Sequence, residues 1–146
     1  RPYFDALVAA GARAPGEFRY EDLTHIARAQ PALINSLAPR ANRLFVADTD
    51  SLTTLTWSEH LYGRHEVWHE ELVRQESFDL TLVLSPDGTQ YVADGQRVMA
   101  EQTERVAFTE RLIDNLHRFN RPYHLLTGWY EERFSTAVSL IDQLFD

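Results

Sequence analysis

The sequence predicts an α/β fold in which a mostly parallel sheet carries flanking helices. Three short β-prone segments, at residues 43–47, 78–84 and 123–127, alternate with longer segments. Each of the three is mostly apolar without a clean alternation, which is typical of strands buried on both faces of a parallel sheet. The segments between them are longer than hairpins require and carry helical periodicity, as crossover helices do.

The helical segments are recognised by apolar stripes. One stripe contains Leu112, Ile113, Leu116 and Phe119, and the other contains Tyr130, Phe134, Ala137, Ile141 and Leu144. Residues 20–37 also predict a helix, with a kink or break at Pro31. A chain of 146 residues predicts a single domain over residues 1–146. Its one long connection, residues 86–100, opens with a Pro-Asp-Gly turn, and a connection of this length is typical of a functional loop.

Composition excludes several classes of function. The chain has 14 basic and 22 acidic residues and a net charge of -8, which argues against a nucleic-acid or anionic-membrane partner. All of the basic residues are arginines, so no lysine Schiff base and no Walker A lysine can come from this chain. The absence of cysteine excludes disulfides and cysteine-based zinc sites. No apolar run approaches the roughly 18 residues of a membrane span.

Two acidic residues follow the first predicted strand. Asp48 and Asp50 come directly after residues 43–47. An apolar strand that ends in a carboxylate is typical of a Walker B segment, where an acidic oxygen holds Mg²⁺ beside the nucleotide phosphates. Alternatively, Asp50 is the N-cap of a helix that begins near Leu52, and Asp48 is an ordinary loop acid. The two interpretations are compatible.

The long connection contains a candidate catalytic arginine. Asp94 and Gly95 predict a turn that directs Arg97 toward the C-terminal edge of the sheet. An arginine on a mobile connection is the group that phosphoryl transfer uses to neutralise charge on the transferred phosphoryl group. The alternative is that Arg97 is a solvated surface charge.

Residues 65–69 match the zinc-binding pattern H-E-x-x-H. On a helix this spacing places His65 and His69 on one face to bind Zn²⁺, with Glu66 as the general base of a metallopeptidase. The predicted helix is short, its flanks are acidic, and no third ligand is evident. The alternative is a surface helix whose Trp68 and Leu72 pack inward.

Several motifs together resemble one known family. Residues 47–54 resemble a D-T-D-x-x-T-T segment, residues 62–64 resemble a Y-x-G segment, and residues 91–97 resemble a lid motif, W-V-x-D-G-x-R. Arg1 resembles the arginine that ends an E-Y-G-R-E segment. These motifs make the chain similar to the ribosylnicotinamide kinase domain of NadR-type NAD-biosynthesis proteins, which is a P-loop kinase.

The resemblance implies an ATP-dependent, Mg²⁺-dependent kinase that phosphorylates the 5′-hydroxyl of nicotinamide riboside and yields nicotinamide mononucleotide. Asp48 would hold Mg²⁺, and Asp50 would orient or deprotonate the ribose hydroxyl, although the two roles could be exchanged. Arg97 would close over the phosphates on a turn shaped by Asp94, so both would contact ATP. The nucleoside-binding residues would be Arg1, Asp50 and Thr53.

The chain departs from the family in one main respect, because it contains no G-x-x-x-x-G-K-[ST] motif. We therefore expect the native protein to continue upstream of Arg1, the first (P-loop) strand to be missing from this chain, and the chain alone to be inactive. The resemblance further implies a cytoplasmic protein with a possible fused adenylyltransferase domain upstream. Two alternatives are a non-catalytic nucleotide-sensing regulatory module and the zinc metallopeptidase described above.

Overall fold

The computed structural model describes residues 2–14, 17–88, 99 and 101–145. The chain divides into two compact units, one ending at Glu76 and the other beginning at Ser77. None of the helices in the described ranges is long and apolar enough to cross a membrane.

The first unit is helical. Its helices are α1 (Pro2–Ala9), α2 (Tyr20–Leu37), α3 (Ser51–Tyr62) and α4 (Val67–Gln75), and a short 3₁₀ turn (Ala38–Arg40) follows α2. The helices α2, α3 and α4 pack against one another in chain order. Their buried apolar side chains are Leu23, Ala27, Leu52, Leu55 and Val73.

The helix α2 has the predicted bounds, and of the predicted kink or break at Pro31 the break is wrong. The helix continues through Pro31 to Leu37. A proline inside a helix removes one backbone hydrogen bond and strains the preceding turn. Packing against α3 offsets this cost, because Ala27 is buried before the proline and Gln30 is hydrogen-bonded to Thr54 of α3.

The predicted strand at residues 43–47 is also wrong, because the structure contains no strand there. Leu44 is 45% exposed and Val46 is 73% exposed, so the segment is not buried on both faces. A strand is stable only when its backbone N–H and C=O groups pair with a neighbour. Among the described residues, the sheet contains two strands, and neither pairs with this segment.

The second unit contains the parallel pairing that the sequence predicts. Strand β1 (Leu82–Leu84) pairs in parallel with β2 (His124–Leu126). Helix α5 (Gln102–Arg118) connects them, and α6 (Tyr130–Asp142) follows β2. Both strands lie within the predicted segments but are shorter, and Leu84 is 62% exposed. Burial on both faces is therefore wrong for these strands as well, whereas the coarse prediction of a helix-rich chain with a small parallel sheet is confirmed.

The apolar core of the second unit contains Val83, Phe108, Leu116 and Leu126. The stripe predicted on α5 is therefore buried at Leu116. The stripe predicted on α6 belongs to a helix, as expected, but Tyr130 and Phe134 are exposed.

Candidate functional site

The two candidate acids, Asp48 and Asp50, directly precede α3. Asp50 is the N-cap of this helix, and its Oδ1 accepts hydrogen bonds from the backbone N–H (2.8 Å) and the hydroxyl (2.7 Å) of Thr53. The capping interpretation of Asp50 is thus confirmed. Asp48 lies two residues earlier with an exposed side chain. The structure therefore brings Asp50 and Thr53 into contact and leaves Asp48 at the surface beside them in the chain.

Thr49, between the two acids, has an unusual backbone conformation. Its φ is 70°, in the left-handed region that a β-branched residue seldom adopts. The Thr49 hydroxyl accepts a hydrogen bond of 2.6 Å from the side-chain amide of Gln30 on α2. The carbonyl oxygen of the same amide accepts a hydrogen bond of 3.1 Å from the Thr54 hydroxyl. Gln30 therefore connects the turn before α3 to the first turn of the helix.

A second residue distant in sequence holds the start of α3. Glu76, which follows α4, accepts hydrogen bonds from the backbone N–H (3.0 Å) and the hydroxyl (2.7 Å) of the buried Ser51. A carboxylate at a helix N-terminus also interacts favourably with the helix dipole. Sequence reasoning missed Gln30 and Glu76, because no local pattern links them to residues 48–54.

These contacts define the chemistry available at the start of α3. The N–H groups of Ser51 and Thr53 already donate to the carboxylates of Glu76 and Asp50. The helix terminus therefore offers neither of these two amides to a phosphate. An exposed carboxylate such as that of Asp48 is, in contrast, the hard oxygen ligand that Mg²⁺ prefers.

Three of the predicted site residues, Arg1, Asp94 and Arg97, lie outside the described residues. The described part of the long connection begins with the predicted turn, in which Gly88 has a φ of 73°. In the second unit, the buried Arg133 of α6 donates hydrogen bonds to the carbonyl oxygens of Asp87 and Gly128. The first residues of the connection are therefore anchored by a guanidinium group.

The structure contradicts the helical zinc pair. Helix α4 begins at Val67, so His65 precedes the helix and does not share a helical face with His69. The two ring nitrogens of His65 instead lie 3.0 Å from carboxylate oxygens of Glu59 and Glu70. Within the described ranges, no group of three acidic or histidine side chains is arranged to hold a metal ion.

His69 has a local structural role. Its Nδ1 lies 3.4 Å from the backbone N–H of Glu66, in the arrangement of a capping box at the start of α4. The fully buried side chains of α4 are His69 and Val73, whereas Trp68 and Leu72, which were predicted to pack inward, are half-buried. Burial of the imidazole, and secondarily the nearby His65, lower the pKa of His69 below its ordinary value of 6.5. Among the described residues, Nε2 of His69 has no hydrogen-bond partner.

The sequence of this chain matches a known protein family. A family model described as an AAA domain matches residues 2–133. The chain belongs to the AAA domain family. This membership confirms the P-loop NTPase superfamily that the motifs imply, although the match alone assigns no role to a particular residue of this AAA domain.

The AAA domain is also similar to two curated bacterial proteins. It is 29% identical over 127 residues to the trifunctional NAD biosynthesis/regulator protein NadR of Salmonella typhimurium, and the match covers 86% of this chain and 31% of the relative. It is 28% identical, with the same coverage, to the NadR protein of Escherichia coli. The chain thus spans about a third of the length of the curated relatives it matches. The resemblance to NadR-type proteins is confirmed.

Proposed function

We propose that this AAA domain is part of a kinase that phosphorylates nicotinamide riboside with ATP. The γ-phosphoryl group passes from ATP to the ribose 5′-oxygen, the hydroxyl proton is released, and the products are ADP and nicotinamide mononucleotide. The observation that carries the proposal is the exposed Asp48 carboxylate, which stands beside an α3 start held by Gln30 and Glu76. The similarity to NadR proteins, named for NAD biosynthesis, and the paired D-T-D and lid motifs support it.

The described contacts favour one distribution of roles between the two acids. Oδ1 of Asp50 already accepts two hydrogen bonds from Thr53, whereas Asp48 is exposed. Asp48 is therefore the better ligand for Mg²⁺, which when bound would neutralise phosphate charge. Asp50 orients or deprotonates the ribose hydroxyl. Its hydrogen bonds with Thr53 restrict the position of its carboxylate. Thr53 keeps its oxygen lone pairs as acceptors for the nucleoside.

The remaining roles come from the sequence motifs. We propose that Arg97 neutralises charge on the transferred phosphoryl group, that Asp94 shapes the turn carrying it, and that Arg1 contacts the nucleoside. In the whole protein we expect a cytoplasmic location and a possible fused adenylyltransferase domain. These expectations derive from the similarity to NadR proteins, which are about three times as long as this chain.

Residues 43–47 suggest where the phosphate-binding segment belongs. Leu44 and Val46 are exposed although their segment is apolar and β-prone. We propose that this segment becomes a strand when it pairs with a strand that carries the phosphate-binding loop. Pairing would satisfy the backbone N–H and C=O groups of this segment.

The test is an assay of the full-length protein for ATP-dependent phosphorylation of nicotinamide riboside. We expect Asp48→Ala to lower kcat by at least about 10²-fold, because it removes an electrostatic contact to the phosphates. Asp114→Ala, which removes an exposed acid from α5, is the matched control and retains activity. Full activity of Asp48→Ala refutes the metal role. If the unsubstituted protein binds ATP but transfers no phosphoryl group, the alternative of a regulatory module replaces the kinase.

A further inference from the structure

Gln30 of α2 contacts the turn that carries the two candidate acids. Its side-chain N–H donates to the Thr49 hydroxyl at 2.6 Å, and its side-chain oxygen accepts from the Thr54 hydroxyl at 3.1 Å. The Thr54 hydroxyl also lies 3.2 Å from the Asp50 carbonyl oxygen. One amide therefore fixes both ends of residues 49–54.

The residue that Gln30 contacts before α3 is conformationally strained. Thr49 has a φ of 70°, and a residue other than glycine in this region costs roughly 1–3 kcal/mol. Such a conformation persists only where surrounding contacts hold it. Because Thr49 is the single residue between Asp48 and Asp50, its backbone angles set the direction of Asp48 relative to the capped Asp50.

We propose, on the basis of the kinase function proposed above, that Gln30 is a positioning residue of the phosphoryl-transfer site. It holds Thr49 in the left-handed conformation and thereby keeps Asp48 and Asp50 in their relative positions. Gln30 acts through Thr49 and need not touch ATP, the nucleoside or a metal ion. Its distance in sequence from the D-T-D motif explains why no motif includes it.

The experiment compares five variants of the full-length protein. Gln30→Met keeps the length of the side chain and removes both hydrogen bonds, and Thr49→Ala removes the hydroxyl that Gln30 contacts. The double variant tests whether the two residues act as a unit. Thr49→Ser is the conservative variant that retains the hydroxyl. Gln75→Met, which makes the same chemical change at an exposed position of α4, is the matched control.

Two properties are measured on samples whose circular dichroism confirms folding. The first is kcat for nicotinamide riboside phosphorylation, and the second is the affinity for Mn²⁺ in the presence of ATP, followed by electron paramagnetic resonance. We expect Gln30→Met to lower kcat about tenfold, because small displacements of reacting groups reduce rates strongly, and to weaken Mn²⁺ binding severalfold. Thr49→Ser and Gln75→Met stay within about twofold of the unsubstituted protein on both measures.

The energetic coupling between Gln30 and Thr49 distinguishes a positioning role of Gln30 from a general contribution to stability. If Gln30 acts through Thr49, the double variant is no more impaired than Gln30→Met, since residues that act as a unit are not additive. A purely structural role would lower stability and leave the kcat and Mn²⁺ affinity of the folded protein unchanged. Unchanged values, or additive losses, overturn the positioning role.

The Mn²⁺ measurement tests the positioning role of Gln30 independently of the proposed kinase activity. If the unsubstituted protein phosphorylates no nicotinamide riboside, the proposed function fails. Mn²⁺ binding with ATP still reports on Asp48 and Asp50 in that case. Weaker binding in Gln30→Met then supports the positioning role, and equal binding overturns it.

Discussion

Two helices of this protein start directly after a predicted strand, and the two starts are built differently. Before α3, Thr49 adopts a φ of 70°, whereas before α6 the corresponding turn contains Gly128 with a φ of 86°. At the start of α3, the side chain of the N-cap residue Asp50 accepts a hydrogen bond from the backbone N–H of Thr53, which lies later in the chain. Glu132 of α6 accepts instead from the earlier backbone N–H of Trp129 at 2.8 Å.

The difference concerns how each left-handed turn is maintained. Glycine adopts a positive φ at no steric cost, so the turn before α6 is relaxed. Threonine does so only under restraint, and Gln30 supplies a restraint from α2. Strained backbone conformations persist only where surrounding contacts hold them, and they are often found at functional sites. This difference supports our proposal that the start of α3, rather than the start of α6, belongs to the functional site.

Exchanging the two turn residues is the strongest test of this difference between the turns. Gly128→Thr combines an unfavourable φ with overlap between the new Cβ and the Glu132 carboxylate. We expect it to destabilise the start of α6 by at least about 2 kcal/mol. Amide hydrogen exchange of the full-length protein would then accelerate roughly 30-fold in peptides covering residues 124–140.

The reverse substitution, Thr49→Gly, is the matched comparison. Relief of strain at φ 70° is offset by the greater unfolded-state entropy of glycine and by loss of the Gln30 contact. We expect exchange in residues 45–60 to change by less than about fivefold, which corresponds to about 1 kcal/mol. Equal acceleration by the two substitutions would show that Thr49 and Gly128 are equivalent turn residues.

Substitutions of Asp50, with an effect smaller than that of Gly128→Thr, separate the capping role of this residue from its proposed chemical role. Asp50→Ala removes the acceptor for Thr53, and loss of an N-cap costs about 1 kcal/mol. Exchange in residues 45–60 should therefore accelerate about fivefold. Asp50→Asn keeps an oxygen acceptor and should preserve the protection.

The kinase assay completes this test. If Asp50 also serves the proposed reaction, Asp50→Asn lowers kcat although the helix start is intact, since the carboxylate charge is lost. Wild-type kcat in Asp50→Asn would restrict Asp50 to capping. Glu132→Gln, the same chemical change at the start of α6, is the control and should leave kcat unchanged.

The smallest expected effect is a pH dependence of stability that arises from the buried His69 at the start of α4. The pKa of His69 is lowered from its ordinary value of 6.5, chiefly by burial, with His65 and Arg28 also lowering it and Glu66 opposing them. The unfolded chain therefore binds a proton more readily at this position than the folded chain does. The stability that this difference contributes is present above about pH 6.5 and is lost as the pH falls below it.

This pH dependence is measured from thermal midpoints at pH 8 and pH 5. The unsubstituted protein should lose more stability across this range than His69→Gln, which has no titrating ring. His124→Gln removes an exposed histidine from β2 and should behave as the unsubstituted protein does. An identical pH response in His69→Gln would exclude His69 as the source.

Residues 43–47 and 123–127 show what local sequence can predict about strands. Both segments are short and apolar, and both predict a strand. In the second, His124–Leu126 pairs with β1, whereas the first has no strand partner among the described residues. Strand formation depends on the partner, and the identity of a partner is not contained in the segment itself.

Helices were predicted more closely, because most of their determinants are local. The bounds of α2 match the predicted residues 20–37, and the N-cap of α3 is Asp50 as its residue type indicates. The H-E-x-x-H match was misleading because it includes no information on where the helix begins. With α4 starting at Val67, the same letters form a capping structure.

By itself, the sequence determined the coarse class of fold, the resemblance to NadR-type proteins, and the capping residue at the start of α3. These depend on residue type and on spacing along the chain. Only the tertiary structure decided which distant side chains hold the D-T-D segment. Gln30 and Glu76 reach it from α2 and from the end of α4. Such contacts arise when helices pack, and packing brings together residues that no local pattern connects.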